Sequence, residues 1–161
     1  MSPRLLRFAL NLWPPFLGAG IRVRHIAHDW GGATVTLRLG LLNRNTRGAH
    51  FGGSLYAMTD PIFALLVASR LGPDYFVAHK SGMIDYLAPA FGRVTAQFAV
   101  TDAQIAEIML KTASGQKFLP TFSVDIHNAQ GELVARATHM LHVRRRTPVT
   151  VAVGAAGRGY S

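Results

Sequence analysis

An apolar run from Ser54 to Leu71 is the sequence feature that most constrains the fold of this chain. Its apolar residues are too continuous for a helix with one face in solvent, so we expect protein to surround most of it. Gly52 and Gly53 directly precede the run. Because the first turn of a helix has backbone N–H groups without intrahelical partners, glycines there let a polarised carbonyl or an anion come close. The stretch predicts a buried helix with an accessible N-terminus.

Asp60 lies about two turns into this predicted helix, and Pro61 follows it directly. Burying an unpaired carboxylate is costly, so Asp60 must be hydrogen-bonded, face water or have a functional role. A proline inside a helix also frees a backbone carbonyl one turn earlier. We therefore expect Asp60 to lie at a local distortion of the helix. A purely structural role, in which Asp60 caps another element beside a tight turn, stays open on this evidence.

Composition limits the class of protein. The 161 residues suit one domain with a real core, and 49% of them are hydrophobic. The chain has no cysteine, which excludes disulfides and thiolate sites. Its net charge of +9 favours nucleic acid, an anionic membrane surface or a phosphate-bearing small molecule as partner, or is simply a solvated basic surface.

The N-terminal segment, residues 1–20, predicts a short amphipathic helix over Met1–Trp13 that Pro14 and Pro15 end. This helix is too short and too charged to span a bilayer, and no small-residue cleavage site follows it. We therefore expect no export, no transmembrane segment and a cytoplasmic location. The helix could lie on a membrane surface, but packing against the flank of the domain is the favoured interpretation.

The rest of the chain alternates in the manner of half-buried strands, with one minor helix capped by Asp102 and ended near Gly115. The predicted strands cover residues 21–25, 34–39, 76–87, 94–100, 118–127 and 133–143. Residues 21–146 are thus expected to form one α+β domain, and residues 147–161 a flexible tail. One curved antiparallel sheet leaves part of an apolar helix uncovered, so we expect a second copy of the chain to cover it.

Three features together carry a family resemblance: the Gly52–Gly53 pair that opens the helix, Asp60 seven residues after the second glycine, and the segment SGMIDYLAPAFG at residues 81–92. In these, and in the order of its elements, the chain resembles the hotdog-fold acyl-CoA thioesterases of the PaaI-like type. It is most similar to the bacterial branch that includes the C-terminal domain of YiiD-type proteins. The resemblance covers about residues 21–143, and LNLWPPFLGAG at residues 10–20 is also typical of that branch.

The resemblance implies a hotdog fold, in which a curved antiparallel sheet wraps around one long central helix. It also implies a homodimer or homotetramer with active sites at the dimer interface. The substrate would be an acyl-CoA thioester, with coenzyme A as part of the substrate and no further cofactor.

The resemblance further implies roles for single residues. Gly53 would offer the backbone N–H that polarises the thioester carbonyl, and Gly52 would allow close approach. Asp60 would be the nucleophile or the general base that activates water. Asn45 would position either water or the thioester. These roles are chemically consistent, because thioester hydrolysis needs both an oxyanion site and a base.

Four more residues are candidates for binding substrate. His79 and Ser81 are expected on one face of a strand, near where relatives place a Ser or Thr that steadies the water. Phe51 stands where the family has a histidine, and His50 is displaced from that place by one residue. The departure at Phe51 puts activity on the usual thioesters in question, and a loop histidine such as His50 is more often solvated.

The leading hypothesis is therefore an acyl-CoA thioesterase. The alternative is a non-catalytic acyl-CoA or fatty-acyl binding protein, and a hydratase ranks third. We expect no metal site, because no pair of histidines has carboxylates at metal-ligand spacing. Nucleic acid is not an expected partner, because aromatic residues do not alternate with the arginines. Residues 144–146, three arginines, could contact the CoA phosphates or lie in solvent.

Overall fold

The computed structural model describes residues 1–146, so the predicted tail at 147–161 lies outside the described residues. Its helices are α1 (Pro3–Leu12), α2 (Pro14–Ala19), α3 (Gly52–Ala57), α4 (Ile62–Leu71) and α5 (Asp102–Thr112), with a 3₁₀ turn at Leu41–Asn43. Its strands are β1 (Ile21–Ile26), β2 (Gly32–Arg38), β3 (Tyr75–Tyr86), β4 (Arg93–Ala99), β5 (Lys117–Phe118), β6 (Thr121–Asn128) and β7 (Leu133–Arg145). The expected α+β class is confirmed.

The strands form one curved antiparallel sheet in the order β1-β2-β4-β6-β7-β3, with the short β5 also paired to β7. β3 pairs with β7 over its whole length and leaves its other edge without a strand among the described residues. An unpaired edge of twelve residues presents a row of free backbone N–H and C=O groups. β3 is therefore the longest free edge of this sheet.

Helix α4 lies in the hollow of the sheet. Its Phe63 ring packs against the rings of Phe98 on β4 and Phe122 on β6, with both centroid distances 5.1 Å. On the same helix Leu66 and Val67 are buried. Only one residue of α4 is classed as exposed, as the all-round apolar pattern predicted.

The central helix is interrupted where the sequence predicted a distortion. A turn at residues 58–61 separates α3 from α4, and Pro61 is the N-cap of α4. Because proline has no N–H to donate, it is tolerated at a helix start and breaks the ladder before it. Thr59 and Asp60 lie in this turn, with Thr59 fully buried.

The N-terminal helices pack against the outside of β1. Leu6 and Leu10 bury one face of α1, and the Asn11 side chain both accepts from Val23 N and donates to Val23 O. The expected packing on the domain's flank is therefore observed. Among the described residues no helix is both long and apolar enough to cross a membrane.

One local expectation was incomplete and two were wrong. Pro14 and Pro15 do not only end α1, because they also form the first turn of α2, where missing N–H groups cost nothing. Thr101, and not Asp102, caps α5, since its hydroxyl accepts from Gln104 N while the Gln104 side chain accepts from Thr101 N. The strand expected at residues 118–127 is divided between β5 and β6 at Leu119–Pro120.

Candidate active site

A groove of about 750 Å³ runs between the loop before α3 and the end of β3. It brings together five residues that the sequence singled out, which are Asn45, His50, Phe51, Gly52 and Gly53. The opposite wall is the end of β3 and the segment after it, residues 86–91. Asp60 and His79 are not among the groove's lining residues.

Asn45 shapes the loop that forms one wall. Its Oδ1 accepts from Arg47 N at 2.9 Å and Ala49 N at 3.1 Å, and its Nδ2 donates to His50 O at 3.3 Å. These are the local bonds with which an asparagine side chain replaces regular secondary structure. Asn45 lines the groove, and its side chain holds the backbone that leads to α3.

His50 is buried, which differs from the expectation of a solvated loop histidine. Its Nε2 lies 3.0 Å from Gly92 O, and since a carbonyl only accepts, Nε2 carries the proton. Burial lowers the pKa of His50, with the Gly92 hydrogen bond acting in the opposite direction. The backbone N–H of His50 also donates to Ala90 O at 2.9 Å. Ala90 and Gly92 belong to the segment that follows β3, so these two hydrogen bonds link the loop before α3 to the opposite wall of the groove.

Aromatic rings cover both glycines at the start of α3. A Cβ added to Gly53 would collide with the Phe51 ring, and one added to Gly52 would come within 2.9 Å of the Tyr86 ring. Within residues 1–146 the backbone N–H groups of Gly52 and Gly53 have no hydrogen-bond acceptor. The groove thus has two free donors at its floor, with Phe51 standing partly exposed beside them.

A second cluster surrounds Asp60 at the break in the central helix. Donor atoms of Asp60, His79 and His139 all lie within 4.8 Å of one another. The rings of His79 and His139 are 5.2 Å apart, and the Tyr56 ring stacks on His139 at 5.4 Å. The three donors come from the helix break, β3 and β7, three elements that are far apart in sequence.

Thr59 fixes the tautomer of His139. Its hydroxyl donates to Tyr56 O at 2.7 Å, so toward His139 Nε2, 2.9 Å away, it accepts. Nε2 therefore carries the proton, and Nδ1 is a buried lone pair without a partner in the described structure. Burial, with a smaller contribution from His79, lowers the pKa of His139 to about 4. His139 is neutral near pH 7 and presents an acceptor nitrogen.

A β-bulge separates His79 from Ser81, so these residues do not share a face as expected. Ser81 pairs with Met140, whereas Gly82 pairs with His139. Directly opposite residues of antiparallel strands point to the same side of the sheet. Ser81 therefore points to the side of Met140, away from His139 and the Asp60 cluster. Gly82 takes the inward position, where an added Cβ would collide with the Tyr56 hydroxyl and lie 3.1 Å from His139 Nδ1.

Two imidazoles and a carboxylate are a donor set that zinc and related divalent metals accept. In the described part of the chain, Asp60, His79 and His139 are the residues whose side chains lie close enough together to hold a metal ion. Sequence spacing did not indicate it, because the ligands are brought together only by the register of β3 on β7. That the protein has no metal site stays a prediction, and metal binding at this cluster is what would contradict it.

The described arginines of the C-terminal strand lie far from the groove within one chain. Arg144 and Arg145 pair with Phe76 and Tyr75, at the opposite end of β3 from Tyr86. At about 3.3 Å per residue, the twelve residues of β3 separate these ends by roughly 35 Å. In a single protomer these arginines do not line the groove.

Sequence reasoning missed Tyr56, Thr59, Gly82 and His139. Tyr56 had a usable signal, because it precedes Asp60 by four residues and so shares its helix face. The positions of Gly82 and His139 depend on a bulge and a strand register that no local pattern specifies.

A family model described as a domain of unknown function, DUF4442, matches residues 3–143. No curated protein matches the sequence. The fold is similar to that of PA5026 from Pseudomonas aeruginosa, described as a probable thioesterase, with 17% identity, 91% of this chain and 97% of that chain covered, and a TM-score of 0.78.

Two further solved structures are similar in fold. Thioesterase HI1161 from Haemophilus influenzae is 16% identical, with 90% and 92% of the two chains covered and a TM-score of 0.66. PaaI from the phenylacetic acid degradation operon of Escherichia coli is 20% identical, with 89% and 92% covered and a TM-score of 0.60. The chain therefore belongs to the DUF4442 family and has the hotdog fold of these thioesterase-like proteins.

Proposed function

We propose that the protein is an acyl-CoA thioesterase whose active site combines the Asp60 cluster of one protomer with the groove of another. The observation that carries this proposal is a carboxylate beside buried, unpartnered imidazole nitrogens, on the helical segment whose start offers two free backbone N–H groups. Thioester hydrolysis needs a base or nucleophile and donors for the oxyanion. In this proposal Asp60 supplies the first and the free N–H groups at the start of α3 supply the second.

In the proposed reaction Asp60 either attacks the thioester carbonyl or takes a proton from the attacking water. The N–H of Gly53 donates to the oxygen on which negative charge develops, and it is free to do so since it has no acceptor of its own. The hydrophobic residues of the groove, Leu55, Leu87 and Phe91 among them, suit an acyl chain. No metal and no cysteine are required for these steps.

The separation of Asp60 from Gly53 supports a site made by two copies. Gly53 lines the groove, whereas Asp60 lies beyond the end of α3 and does not line it. The oxyanion donor and the attacking group must both be about 3 Å from the same reacting group. Because Asp60 does not line the groove of its own protomer, we propose that two copies pair through the free edge of β3, which carries His79 and Gly82.

The test is release of free CoA from short, aromatic and long acyl-CoA thioesters by the protein and by Asp60→Asn. We expect turnover of at least one class, lowered at least about 100-fold in the variant, as for loss of a general base. Asp74→Asn is the matched control, because Asp74 is exposed and outside the cluster. Turnover that survives intact in Asp60→Asn would contradict the proposal.

A second candidate function, acyl-CoA or fatty-acyl binding without turnover, rests on Phe51. The Phe51 ring fills the space in which a Cβ on Gly53 would lie, and in this second candidate function it hinders a thioester from reaching the Gly53 N–H group. This candidate expects calorimetric binding of acyl-CoA with no CoA release, in the protein and in Asp60→Asn alike. Turnover restored by Phe51→His alone would assign the block to this side chain.

A further inference from the structure

The outer face of α1 carries a row of apolar side chains that the domain does not cover. Leu5, Phe8 and Leu12 are 55%, 62% and 55% exposed. Their spacing of three and four residues puts them on one face of the helix, opposite the buried Leu6 and Leu10. The helix is therefore apolar on two sides, one packed on the domain and one open.

The open face continues beyond α1 onto the next helix. Trp13 and Leu17 are 43% and 42% exposed, and Met1 is exposed at the other end. We call Met1, Leu5, Phe8, Leu12, Trp13 and Leu17 the apolar strip. A single exposed apolar residue needs no explanation, but a contiguous strip marks a surface that something covers.

Arginines border the strip and have no acidic partners. Arg4 and Arg7 lie on α1 and Arg22 and Arg24 on β1, and no Asp or Glu precedes Asp29. None of the four forms an ion pair within residues 1–146, where the ion pairs are Arg70–Asp102 and Arg136–Asp125. The strip is thus flanked by a purely positive rim.

A cleft of about 420 Å³ joins the two kinds of side chain. It is lined by Arg7, Arg22 and Arg24 together with Phe8 and Leu12 of the strip. Two of these guanidinium groups donate one N–H to a backbone carbonyl, Arg7 to Arg24 O and Arg22 to Asn11 O, which leaves further donors free. Such a cleft suits a phosphate group next to hydrocarbon.

We propose that the apolar strip and its arginine rim dock the protein onto the surface of an anionic phospholipid bilayer. A helix with an apolar face and a basic border lies in the interface plane, with its apolar side chains among the acyl chains and its cations at the phosphates. The domain presents α1 already folded, because Leu6, Leu10 and the Asn11 hydrogen bonds hold it. Little conformational entropy is therefore lost on docking.

A second copy of the chain fits the apolar strip and its arginine rim less well than an anionic bilayer does. In a two-fold symmetric contact the same patch meets itself, so the unpaired arginines of one copy would face those of the other. An anionic bilayer instead supplies the negative charge that the rim lacks. The proposal concerns a surface separate from the groove and from Asp60, and it does not depend on the proposed function.

The test is co-sedimentation of the full chain with phosphatidylcholine vesicles that do or do not contain phosphatidylglycerol. The variant is Arg4→Glu with Leu5→Ser, which reverses one rim charge and removes one strip side chain. Its control is Lys111→Glu with Leu110→Ser, which makes the same two kinds of change on α5, where Leu110 is 75% exposed. Circular dichroism and thermal unfolding check that both variants keep their fold.

We expect binding that requires phosphatidylglycerol and is lost in high salt, because the surface attraction is screened. The partition coefficient should fall at least about tenfold in the α1 variant and stay unchanged in the α5 control. Equal binding by the α1 variant, or no preference for phosphatidylglycerol, would overturn the proposal. So would a shift of the α1 variant to a smaller oligomer with no vesicle binding by the original protein, since a second copy would then cover the strip.

Discussion

Acidification should destabilise the fold, because protonating the buried His139 imidazole lowers the free energy of unfolding. The imidazole is fully buried, and burial together with His79 holds its pKa at about 4, against an ordinary value of 6.5. Between those two pH values the unfolded chain binds a proton that the folded protein does not, so stability is complete above about pH 6.5 and is lost as the pH falls. At about 1.4 kcal/mol per pH unit the loss by pH 4 is about 3 kcal/mol.

The measurement is the free energy of unfolding in urea at several pH values from 7 to 4. Burial also lowers the pKa of His50, so His139 is not the sole source of pH dependence. The informative quantity is therefore the difference between the protein and His139→Gln, which keeps a polar side chain but does not titrate. The variant should lack about 3 kcal/mol of the pH dependence.

His28→Gln is the control for the histidine-to-glutamine change, because the His28 side chain is exposed and is not part of the cluster. If the free energy of unfolding changed with pH equally in the original protein and in His139→Gln, the reasoning would be refuted. Protonating the buried His139 imidazole would then not destabilise the fold.

Two substitutions near Asp60 test the geometry of the cluster by urea unfolding and CoA release. Thr59→Val keeps the shape of the side chain but leaves the buried Nε2–H of His139 without its acceptor, which should lower the free energy of unfolding by about 1–3 kcal/mol. Thr59→Ser keeps the hydroxyl and should lower it less. Equal losses of stability in the two variants would contradict this role of Thr59. Gly82→Ala should cost about 1–3 kcal/mol and lower turnover, because the added methyl displaces Tyr56 or His139. Gly18→Ala is its control, since nothing lies within 4 Å of the position of that Cβ, and unimpaired Gly82→Ala would show that the cluster has room.

The sequence was sufficient where one residue type determines the local structure. The apolar run predicted the buried α4, and Pro61 predicted the break that holds Asp60, because proline cannot continue the hydrogen-bond ladder. The approach of a carbonyl or an anion to the glycine pair stays a prediction, although the Phe51 and Tyr86 rings leave no room for a Cβ at either glycine. These are local consequences of side-chain volume and missing donors.

The sequence was insufficient where the outcome depends on strand register. The bulge after His79 turns Ser81 outward and brings Gly82 inward, and nothing in the alternation of β3 indicates an extra residue there. His139 belongs to the site only because β7 pairs with β3 in this register. The burial of His50 likewise depends on Gly92, which lies 42 residues away in the chain.

The central claim, that Asp60 and Gly53 of different protomers act on one thioester, is tested most directly by combining two inactive variants. Both variants are made in a Phe51→Ala background, because a Cβ at position 53 would otherwise collide with the Phe51 ring. Asp60→Asn removes the carboxylate, and Gly53→Pro removes the donor N–H at a first-turn position where proline is tolerated. If the site is shared, random pairing on co-expression makes half of the dimers hybrids, each with one intact site of two, so activity should return to about one quarter of that of the Phe51→Ala protein. Co-expressed variants that form hybrids yet stay as inactive as either parent would contradict the shared site.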